Sequence, residues 1–414
     1  MRILLCPDVE NWAFDNIAKN IIREIGPQSH IRTSIMYVAG YGLDRQRFLY
    51  EAILSGKYDV VHVYFKEYLR EVLSPRTIAS TAHSYNLDIS DVIDRIVDTT
   101  ITTSVYDQQY CDAAQLGERR EFLKFVDGYS VSAERIRKIY AEHPDYAEPR
   151  AVLPDGVDLA LFKPIDLKRF HDDSRSLVVG WVGNSKWGAT STRDPKGLKS
   201  ILIPAIDRLK AEGANIAGHF ADVCEKRRTR AEMVQYYSEI DVLVCASEHE
   251  GTPNPALEAF ACGVPMVSTD VGIIPELFGP YQRDYVLNER SVDAMCAALK
   301  KLCEQPQVLP ALSVENLKQI REWQWSCFAP KWSSFWVDSR IANADSSRQR
   351  AKREYLSKTI QAYKRDKLLP SQRPWAGRVI DQILYRSRVG RRVASTLARR
   401  NPGLIEKLKK SFGI

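Results

Sequence analysis

The sequence predicts an α/β protein with two doubly wound parallel sheets and a basic helical tail. Short apolar segments alternate with helical stretches in two successive series, and no strand pattern remains in the last quarter of the chain. Strands separated by helices of this length form βαβ units and a parallel sheet. The 414 residues are enough for about two or three domains. We expect domains at 1–165 and 166–312, an aromatic crossover helix at 313–345 and a tail at 346–414.

The first series of elements starts at the amino terminus. The apolar run Ile3–Cys6 predicts a strand, and isoleucines at helical spacing predict an amphipathic helix after it. Further strands are predicted at Thr33–Val38, at Asp59–Tyr64, in a segment that ends near His83, and at Phe125–Ser132. The helix Ala133–Tyr140 follows, and the acidic, proline-containing segment 141–150 predicts a loop.

The second series starts with Leu177–Gly183, a nearly continuous apolar run that is typical of a strand buried on both faces. The elements predicted after it are the helix Gly197–Lys210, the strand Ile216–Phe220, the helix Ala231–Tyr237, the strand Asp241–Ala246, the helix Pro253–Cys262, the strand Pro265–Ser268 and the helix Val292–Cys303. Beyond them, residues 315–338 form a helical pattern rich in Trp and Phe. Such a stripe indicates core or domain–domain packing more often than ligand binding.

The charge of the chain is unevenly distributed. Its net charge is +7, but residues 346–414 contain 19 Lys and Arg against four Asp and Glu. The tail therefore carries +15 and the rest of the chain −8. A basic segment on an acidic body indicates an anionic partner for that segment alone.

The composition excludes several classes of protein. With 44% hydrophobic and 27% charged residues, the chain is typical of globular proteins and unlike disordered or fibrous ones. No run approaches the roughly 18 apolar residues that cross a membrane, and residues 1–8 predict a strand rather than a signal peptide. The eight cysteines show no CxxC pair and no metal-ligand spacing. We therefore expect reduced thiols in a cytoplasmic protein, and no metal site.

The segment Ser247–Pro265 contains the strongest functional signal. A predicted strand ends before it, a polar loop with a glycine follows, and Pro253 stands where a first helical turn would begin. Anionic ligands bind at such places, because free N–H groups and the helix dipole point there. Glu250 in the loop and Glu258 in the helix are placed to accept hydrogen bonds from sugar or ribose hydroxyls. The alternative is that both are solvated acids near a helix start.

This segment resembles the E-x7-E signature of retaining, nucleotide-sugar-dependent glycosyltransferases of the GT-B fold, particularly family 4 (glycosyl transferases group 1). Glu250-Gly251, the helix around Glu258 and Gly263-Val264-Pro265 fit the signature. The segment Thr269–Glu276 is similar to the family's Gly-Gly-x-Pro-Glu turn, with Ile273 where a second glycine is usual. Upstream, the element Leu153–Asp158 with Phe162–Pro164 looks like the family's interdomain segment. The resemblance implies two Rossmann-like domains that face a central cleft.

The resemblance also implies roles for individual residues. Glu258 would bind the ribose hydroxyls, and Glu250 would face the donor sugar. The backbone around Gly251, Thr252 and Asn254 would line the sugar and phosphate pocket. Lys196, in a Lys-Gly pair at the head of a predicted helix, would hold the diphosphate.

Several positions depart from the family pattern. The usual arginine after the first strand of the second domain is absent, because Gly183 is followed by Asn184; we expect both of these residues at the donor site. Lys186 or Arg193 would supply the missing charge, unless they are ordinary exposed basic residues. His83 resembles a family histidine that contacts the sugar, although a lone histidine at a strand end is more often structural. The glycine pair after the first strand is also absent, so acceptor contacts there are assigned to Asn11 and Trp12.

The implied activity is transfer of a sugar, with retention at the anomeric carbon, from a nucleoside-diphosphate sugar to a glycan, lipid-linked or other envelope acceptor. The chain has no Asp-x-Asp triplet, which agrees with metal-independent chemistry, and the nucleotide sugar is the only co-substrate implied. Two alternatives remain open. One is another GT-B enzyme, a nucleotide-sugar epimerase or phosphorylase. The other is a non-catalytic module that binds polyanions or membrane through its tail.

The tail interleaves apolar residues at a spacing near four with arginines and lysines, most clearly in 377–414. This pattern suits interfacial helices on an anionic membrane surface, so we expect residues 370–414 to attach the protein peripherally to the inner face of a membrane. The alternatives are a solvated helical appendage or an oligomer contact. Nucleic acid is a weaker candidate partner, because aromatic residues are sparse in this segment.

Overall fold

Two parallel sheets organise the chain in the computed structural model, which describes residues 1–26, 30–108, 111–119, 122–172 and 174–368. The first sheet contains β1 (Arg2–Cys6), β2 (Arg32–Ile35), β3 (Val60–Val63), β4 (Thr100–Val105), β5 (Gly128–Val131) and β6 (Ala151–Val152), in the order β2-β1-β3-β4-β5-β6. The second contains β7 (Leu177–Gly183), β8 (Ile216–Asp222), β9 (Val242–Cys245), β10 (Met266–Thr269) and β11 (Val286–Leu287), in the order β11-β10-β9-β7-β8. All pairings are parallel. The predicted α/β class with two doubly wound sheets is therefore confirmed.

Helices cover both sheets. Those of the first half are α1 (Ala13–Ile25), α2 (Arg45–Leu49), α3 (Lys66–Val72), α4 (Pro75–Ser84), α5 (Ile89–Asp98), α6 (Ala113–Arg119) and α7 (Glu134–Ala141). The second half contains α8 (Ile203–Ala211), preceded by a π-helical turn at Leu198–Leu202, and then α9 (Arg230–Glu239), α10 (Asn254–Ala261), α11 (Ile274–Leu277), α12 (Val292–Glu304), α13 (Leu309–Gln319), α14 (Trp325–Asn343) and α15 (Ser346–Leu368).

The strand predicted to end near His83 is wrong. This segment is helix α4, which starts with Ser74 accepting a hydrogen bond from the Thr77 N–H and with Pro75 in its first turn. Serine at the cap and proline at the first helical position are a strong helix start, and they outweigh the apolar run that follows.

The fourth strand is instead β4, a threonine-rich segment that the apolar pattern missed. All six of its residues are buried, and its hydroxyls bond to neighbouring strands and to α14. Thr103 donates to the Val63 carbonyl at 2.7 Å, and Ser104 lies 2.8 Å from the Ser130 hydroxyl. β-Branched threonine fits a strand well, but its hydroxyl makes the segment look polar until its partners are known.

The aromatic crossover segment packs against the first domain. Its helix α14 lies against α1 and the first sheet, and Trp332 and Trp336 are 1% and 0% exposed. The predicted single helix is broken before it, at Gln324, whose backbone is extended. There the chain bonds to the interdomain linker, since the Val157 N–H donates to the Trp323 carbonyl at 2.8 Å. This contact carries the chain back from the second domain to the first.

A buried histidine lies beneath this crossover helix. His62 on β3 is fully buried, with Thr102 at 3.0 Å from Nδ1 and Ser104 at 3.3 Å from Nε2. Rings of Tyr64 and the tryptophans of α14 surround it. Burial lowers its pKa to about 3, so the imidazole is neutral in the folded protein.

This arrangement predicts a pH dependence of stability. Below about pH 6.5 the unfolded chain takes up a proton on this histidine that the folded chain excludes, so acid favours unfolding by up to about 1.4 kcal/mol per pH unit. Between about pH 7 and pH 5, we expect the wild type to lose roughly 2 kcal/mol of unfolding free energy more than His62→Asn does. Urea melts at both pH values measure it, with the exposed His171→Asn as control. Equal pH dependence in all three proteins contradicts the prediction.

The basic tail was expected to be a separate appendage from residue 346 onward. For helix α15 this expectation is wrong. Leu356 and Ile360 are buried against α4 and α5 of the first domain. Between them and the helix start, the Lys352 ammonium is buried and lies 2.9 Å from the Asp127 carboxylate. The part of α15 from Lys352 to Ile360 is therefore packed into the first domain.

The segment assigned to membrane binding, 370–414, lies outside the described residues. Among the helices of the described chain, none combines the length and apolar character that a transmembrane segment requires.

Candidate active site

A cleft of about 460 Å³ separates the two domains. Residues that follow β1 form one wall, and the carboxyl ends of β7, β8 and β9 with the start of α10 form the other. Ligands bind at the carboxyl ends of strands in open parallel sheets. The sequence-predicted residues that line this cleft are Asn11, Trp12, Gly183, Asn184, Lys196, Glu250, Thr252, Asn254 and Glu258.

Glu258 projects into the cleft from α10. The Tyr237 hydroxyl donates a hydrogen bond of 2.8 Å to its Oε2 atom. Burial raises the pKa of this carboxyl to about 7, against the opposing pull of the Arg230 charge. The side chain lines the cleft, and no ion pair to it is found among the described residues.

Glu250 and Lys196 form an ion pair in the same cleft. The Lys196 ammonium contacts Glu250 Oε1, and the Ser247 hydroxyl donates to the same oxygen at 2.7 Å. Lys196 is brought there by Gly197, whose φ of +68° places it in the left-handed region. A Cβ atom on this glycine would lie 2.3 Å from the Ala246 carbonyl oxygen, so no larger residue fits.

The helix start behind Lys196 is not the phosphate site that the sequence suggested. Asp194 occupies its N–H groups, accepting from Gly197 at 3.1 Å, Lys199 at 2.8 Å and Ser200 at 2.9 Å. A carboxylate already bound there leaves no room for a phosphate on those N–H groups. Lys196 itself still reaches the cleft through its side chain.

The start of α10 is the helix terminus that opens to the cleft. In the described part of the chain no side chain caps it, and Thr252, Asn254 and Ala256 line the cavity. The N–H groups and dipole of an uncapped helix terminus favour negative charge. Of the two helix starts, only that of α10 lines the cleft without a side chain on its N–H groups in the described part of the chain.

The interdomain linker holds this loop in place. Asp155 is 3% exposed and accepts a hydrogen bond of 2.9 Å from the Asn254 side chain. Its own N–H donates to the Thr252 hydroxyl at 3.2 Å. Burial raises the pKa of Asp155 to about 7. The cleft-facing loop and the linker between the domains are thereby one hydrogen-bonded unit.

Gly251, predicted as a donor-binding residue, lies at the domain contact and does not line the cleft. A Cβ atom here would lie 1.3 Å from the Tyr106 carbonyl oxygen of the first domain. Its own carbonyl accepts from the Ile273 N–H at 3.0 Å. The glycine is required by close backbone approach between the domains.

Three other predicted residues also lie away from the cleft. His83 is exposed in the last turn of α4, on a helix that packs against α2 and α15. Lys186 is exposed. Arg193 is bound to Glu248, with N–O distances of 2.7 and 3.0 Å, and lines a neighbouring cavity instead. The prediction for Lys186 and Arg193 rested on the missing family arginine, and that for His83 on its likeness to a family histidine.

Three basic residues that the sequence analysis did not assign to the site also line the cleft. Lys226, Arg227 and Arg228 follow β8 and line the cleft. Arg227 also spans it, donating to the Asn11 carbonyl at 3.2 Å. The signal was a run of three basic residues after a predicted strand, but only the sheet order shows that β8 lies beside β7.

The architecture is that of GT-B glycosyltransferases. The chain superposes on sucrose-phosphate synthase of Thermosynechococcus elongatus with a TM-score of 0.54 and 13% identity, over 81% of this chain and 98% of that one. It superposes on Anabaena Alr3699/HepE, solved in complex with UDP and glucose, with a TM-score of 0.55 and 12% identity over the same shares. At these identities the likeness establishes the fold, and the GT-B prediction is confirmed.

Sequence comparison supports the family resemblance. Residues 202–305 match the sequence model of the family described as glycosyl transferases group 1. The chain is 22% identical over 227 residues to D-inositol 3-phosphate glycosyltransferase of Segniliparus rotundus, covering 50% of each chain. It is 24% identical over 220 residues to MMP alpha-(1->4)-mannosyltransferase of Mycolicibacterium hassiacum, covering 50% of this chain and 52% of that one. The aligned stretch thus spans about half the length of these curated relatives. The predicted resemblance to group 1 glycosyltransferases is confirmed.

Proposed function

We propose that this protein is a retaining glycosyltransferase that moves a sugar from a nucleoside-diphosphate sugar to a glycan or lipid-linked acceptor. The observation that carries the proposal is the cleft between the two sheets. It combines a hydroxyl-binding carboxylate, an uncapped helix terminus and several cations on one wall. A nucleotide sugar has the matching groups: ribose hydroxyls, a diphosphate and a sugar ring.

Different residues of the cleft bind the ribose, the diphosphate and the sugar of the donor. Glu258 accepts hydrogen bonds from the ribose hydroxyls. Burial of this carboxyl raises its pKa, and a bound ribose would lie against it. The diphosphate meets the start of α10 and the Lys196 ammonium. The half-buried Arg228 also lines the cleft and would supply the charge of the family's missing arginine. Glu250, held by its ion pair with Lys196, then faces the sugar ring.

No protein nucleophile is required for this chemistry. The acceptor hydroxyl oxygen forms the new bond to the anomeric carbon as the bond from that carbon to the donor phosphate breaks, on the same face. The hydroxyl proton passes to the departing phosphate oxygen. Positioning and stabilisation of the leaving diphosphate by cations and N–H groups would supply catalysis, without a metal ion.

Nucleotide binding tests the proposal directly. We expect UDP, GDP or ADP, or the matching nucleotide sugar, to raise the melting temperature, with UDP tried first because Anabaena Alr3699/HepE binds it. Glu258→Gln keeps the Tyr237 contact but weakens ribose binding. The nucleotide should therefore raise the melting temperature of this variant much less than that of the wild type. Glu239→Gln, an exposed carboxylate on α9, is the control and should behave like the wild type.

Product analysis separates the alternatives. Release of free sugar from the stabilising donor, or transfer to an added glycan, supports the transferase. Conversion of the donor to its epimer supports the epimerase alternative. No stabilisation by any nucleotide, with wild type and Glu258→Gln alike, contradicts an enzyme of this class and favours a binding module.

We further propose that residues 370–414 attach the protein to an anionic membrane, because of their basic and intermittently apolar sequence. Co-sedimentation with phosphatidylglycerol vesicles compares the full chain with a chain ending at residue 369. Equal sedimentation of the two proteins contradicts this role.

A further inference from the structure

A buried carboxyl group lies directly behind the start of α10. Asp155, in the linker between the domains, is 3% exposed and does not line the donor cleft. Its Oδ2 atom accepts a hydrogen bond of 2.9 Å from the Asn254 amide, and its N–H donates to the Thr252 hydroxyl at 3.2 Å. Both of these partners line the cleft at the helix start. Asp155 therefore fixes the anion side of the cleft from behind.

The surroundings of this carboxyl group offer hydrogen-bonding groups but no cation. Among the described residues, no Lys, Arg or His is paired with Asp155. Its Oδ1 atom is buried without a hydrogen-bond partner in that part of the chain, and so are the hydroxyls of Tyr64 and Tyr106. Burial holds the pKa of both tyrosines well above 10, so they stay neutral. An ionised carboxylate without a cation is costly in such a place, whereas a neutral acid needs only hydrogen bonds.

The other elements around the linker keep their charge near neutral pH. α10 contributes the uncharged Asn254 amide, and α14 contributes Trp325, whose backbone and ring lie against the linker. On α1, Asp15 acts electrostatically on one of the two tyrosines, but it is already paired with Lys19 at 2.8 Å. Burial raises the pKa of Asp155 to about 7. Of the described groups packed around the linker here, Asp155 is the one whose charge changes near pH 7.

The charge of Asp155 affects any anion at the α10 start. The amino end of a helix carries the equivalent of about half a positive charge, which favours one nearby anion. An ionised Asp155 would share that charge with a bound diphosphate and repel it. The neutral carboxyl group still accepts the hydrogen bond from Asn254, but without the repulsion.

We propose that Asp155 is a positioning residue of the donor site, which holds Thr252 and Asn254 in place as a neutral carboxyl group while the diphosphate is bound. The donor then binds together with a proton, taken from solvent, on Asp155. The proposal rests on the proposed nucleotide-sugar function, since it requires a diphosphate at the α10 start. It adds that donor affinity is controlled by the ionisation of a residue that does not touch the donor.

Calorimetric titration with UDP at about pH 6 and about pH 8.5 tests the proposal, with GDP or ADP instead if that nucleotide binds through Glu258. Most of Asp155 is neutral at the lower pH and little of it at the higher. Between the two, wild-type affinity should fall about tenfold more than that of Asp155→Asn, because only the neutral fraction binds well. Asparagine keeps the acceptor for Asn254 and cannot ionise, so at the higher pH this variant should bind UDP more tightly than the wild type.

Comparing the two proteins removes the other titrations. Glu258, whose pKa is also about 7, and the phosphate of UDP ionise alike in both. In buffers of different ionisation enthalpy at about pH 8, the wild type should take up about half a proton or more per UDP beyond the uptake by Asp155→Asn. Asp207→Asn, an exposed carboxylate on α8, is the matched control and should follow the wild type.

Asp155→Leu separates positioning from charge. Leucine cannot ionise and cannot accept from Asn254, so UDP should bind about tenfold more weakly than to Asp155→Asn at both pH values. Two results overturn the proposal: the same pH dependence of UDP binding in the wild type and Asp155→Asn, or equal affinities in the asparagine and folded leucine variants. If leucine prevents folding, the asparagine comparison decides alone.

Failure of the transferase proposal gives a different result. In that case no nucleotide binds to the wild type at about pH 6, or the nucleotide binds equally well to Glu258→Gln. If UDP binds through Glu258 and the Asp155→Asn variant keeps the pH dependence of the wild type, the inference about Asp155 alone is overturned.

Discussion

Lys196→Met is expected to lower kcat/KM for sugar transfer by about 10²–10³-fold, with little change in thermal stability. The ammonium lines the cleft, and in the proposed donor complex it would face the diphosphate, where negative charge grows as the bond to the sugar breaks. Its removal also leaves Glu250 without its ion-pair partner, so a second negative charge then faces the departing phosphate. The effect should fall on kcat more than on KM, because the interaction strengthens in the transition state.

Lys186→Met is the matched control, since this lysine is exposed ten residues away and does not line the cleft. Donor hydrolysis and transfer are measured for both variants with the nucleotide sugar that stabilises the wild type. We expect Lys186→Met to retain wild-type kinetics. Equal losses in the two variants would contradict the assignment of the phosphate charge to Lys196, and an unchanged Lys196→Met would remove the lysine from the mechanism.

Lys352→Met is expected to cost about 3–5 kcal/mol of unfolding free energy. The Lys352 ammonium is 1% exposed and bonds to both Asp127 oxygens, at 3.1 and 2.9 Å, and to the Asn343 side chain at 3.1 Å. Methionine fills a similar volume but leaves a buried carboxylate that has lost its closest cation. Arg348, at 3.1 Å from the same carboxylate, offsets part of this cost.

The control is Lys358→Met on the same helix, an exposed lysine whose replacement should change stability by less than about 0.5 kcal/mol. Denaturant melts of both variants measure the difference. Donor binding, which depends on the other domain, should survive in Lys352→Met at temperatures where it is folded. If the two variants melt alike, α15 is not held to the first domain by its buried ion pair.

Much of the second domain could be predicted because its strands are apolar on both faces. Leu177–Gly183 has the same bounds in the structure as in the prediction. β4 could not be found in this way, because Thr and Ser hydroxyls make a strand look polar until the neighbouring strands supply their hydrogen-bond partners. For the α4 segment the prediction failed in the opposite direction. Its apolar run indicated a strand, whereas its Ser-Pro start forms a helix.

The candidate site shows the same division. Glu250 and Glu258 follow from residue type and spacing along one segment and Lys196 from the family resemblance, and all three line the cleft. Asp194 and Arg228 were not found, because their importance depends on which N–H groups and which neighbouring strand they meet. His83 illustrates the converse, a residue type in a matching position that the fold places on an outer helix.

The sequence by itself determined the α/β class, the two successive domains and the carboxylates of the motif. These depend on hydrophobic periodicity and on short-range spacing, which are local properties of the chain. Only the tertiary structure decided which helix terminus is free to bind an anion, which cations share the cleft, and that the start of the basic tail is packed. Each depends on contacts between segments distant in sequence, whose energies come from burial and from hydrogen-bond partners that no local pattern specifies.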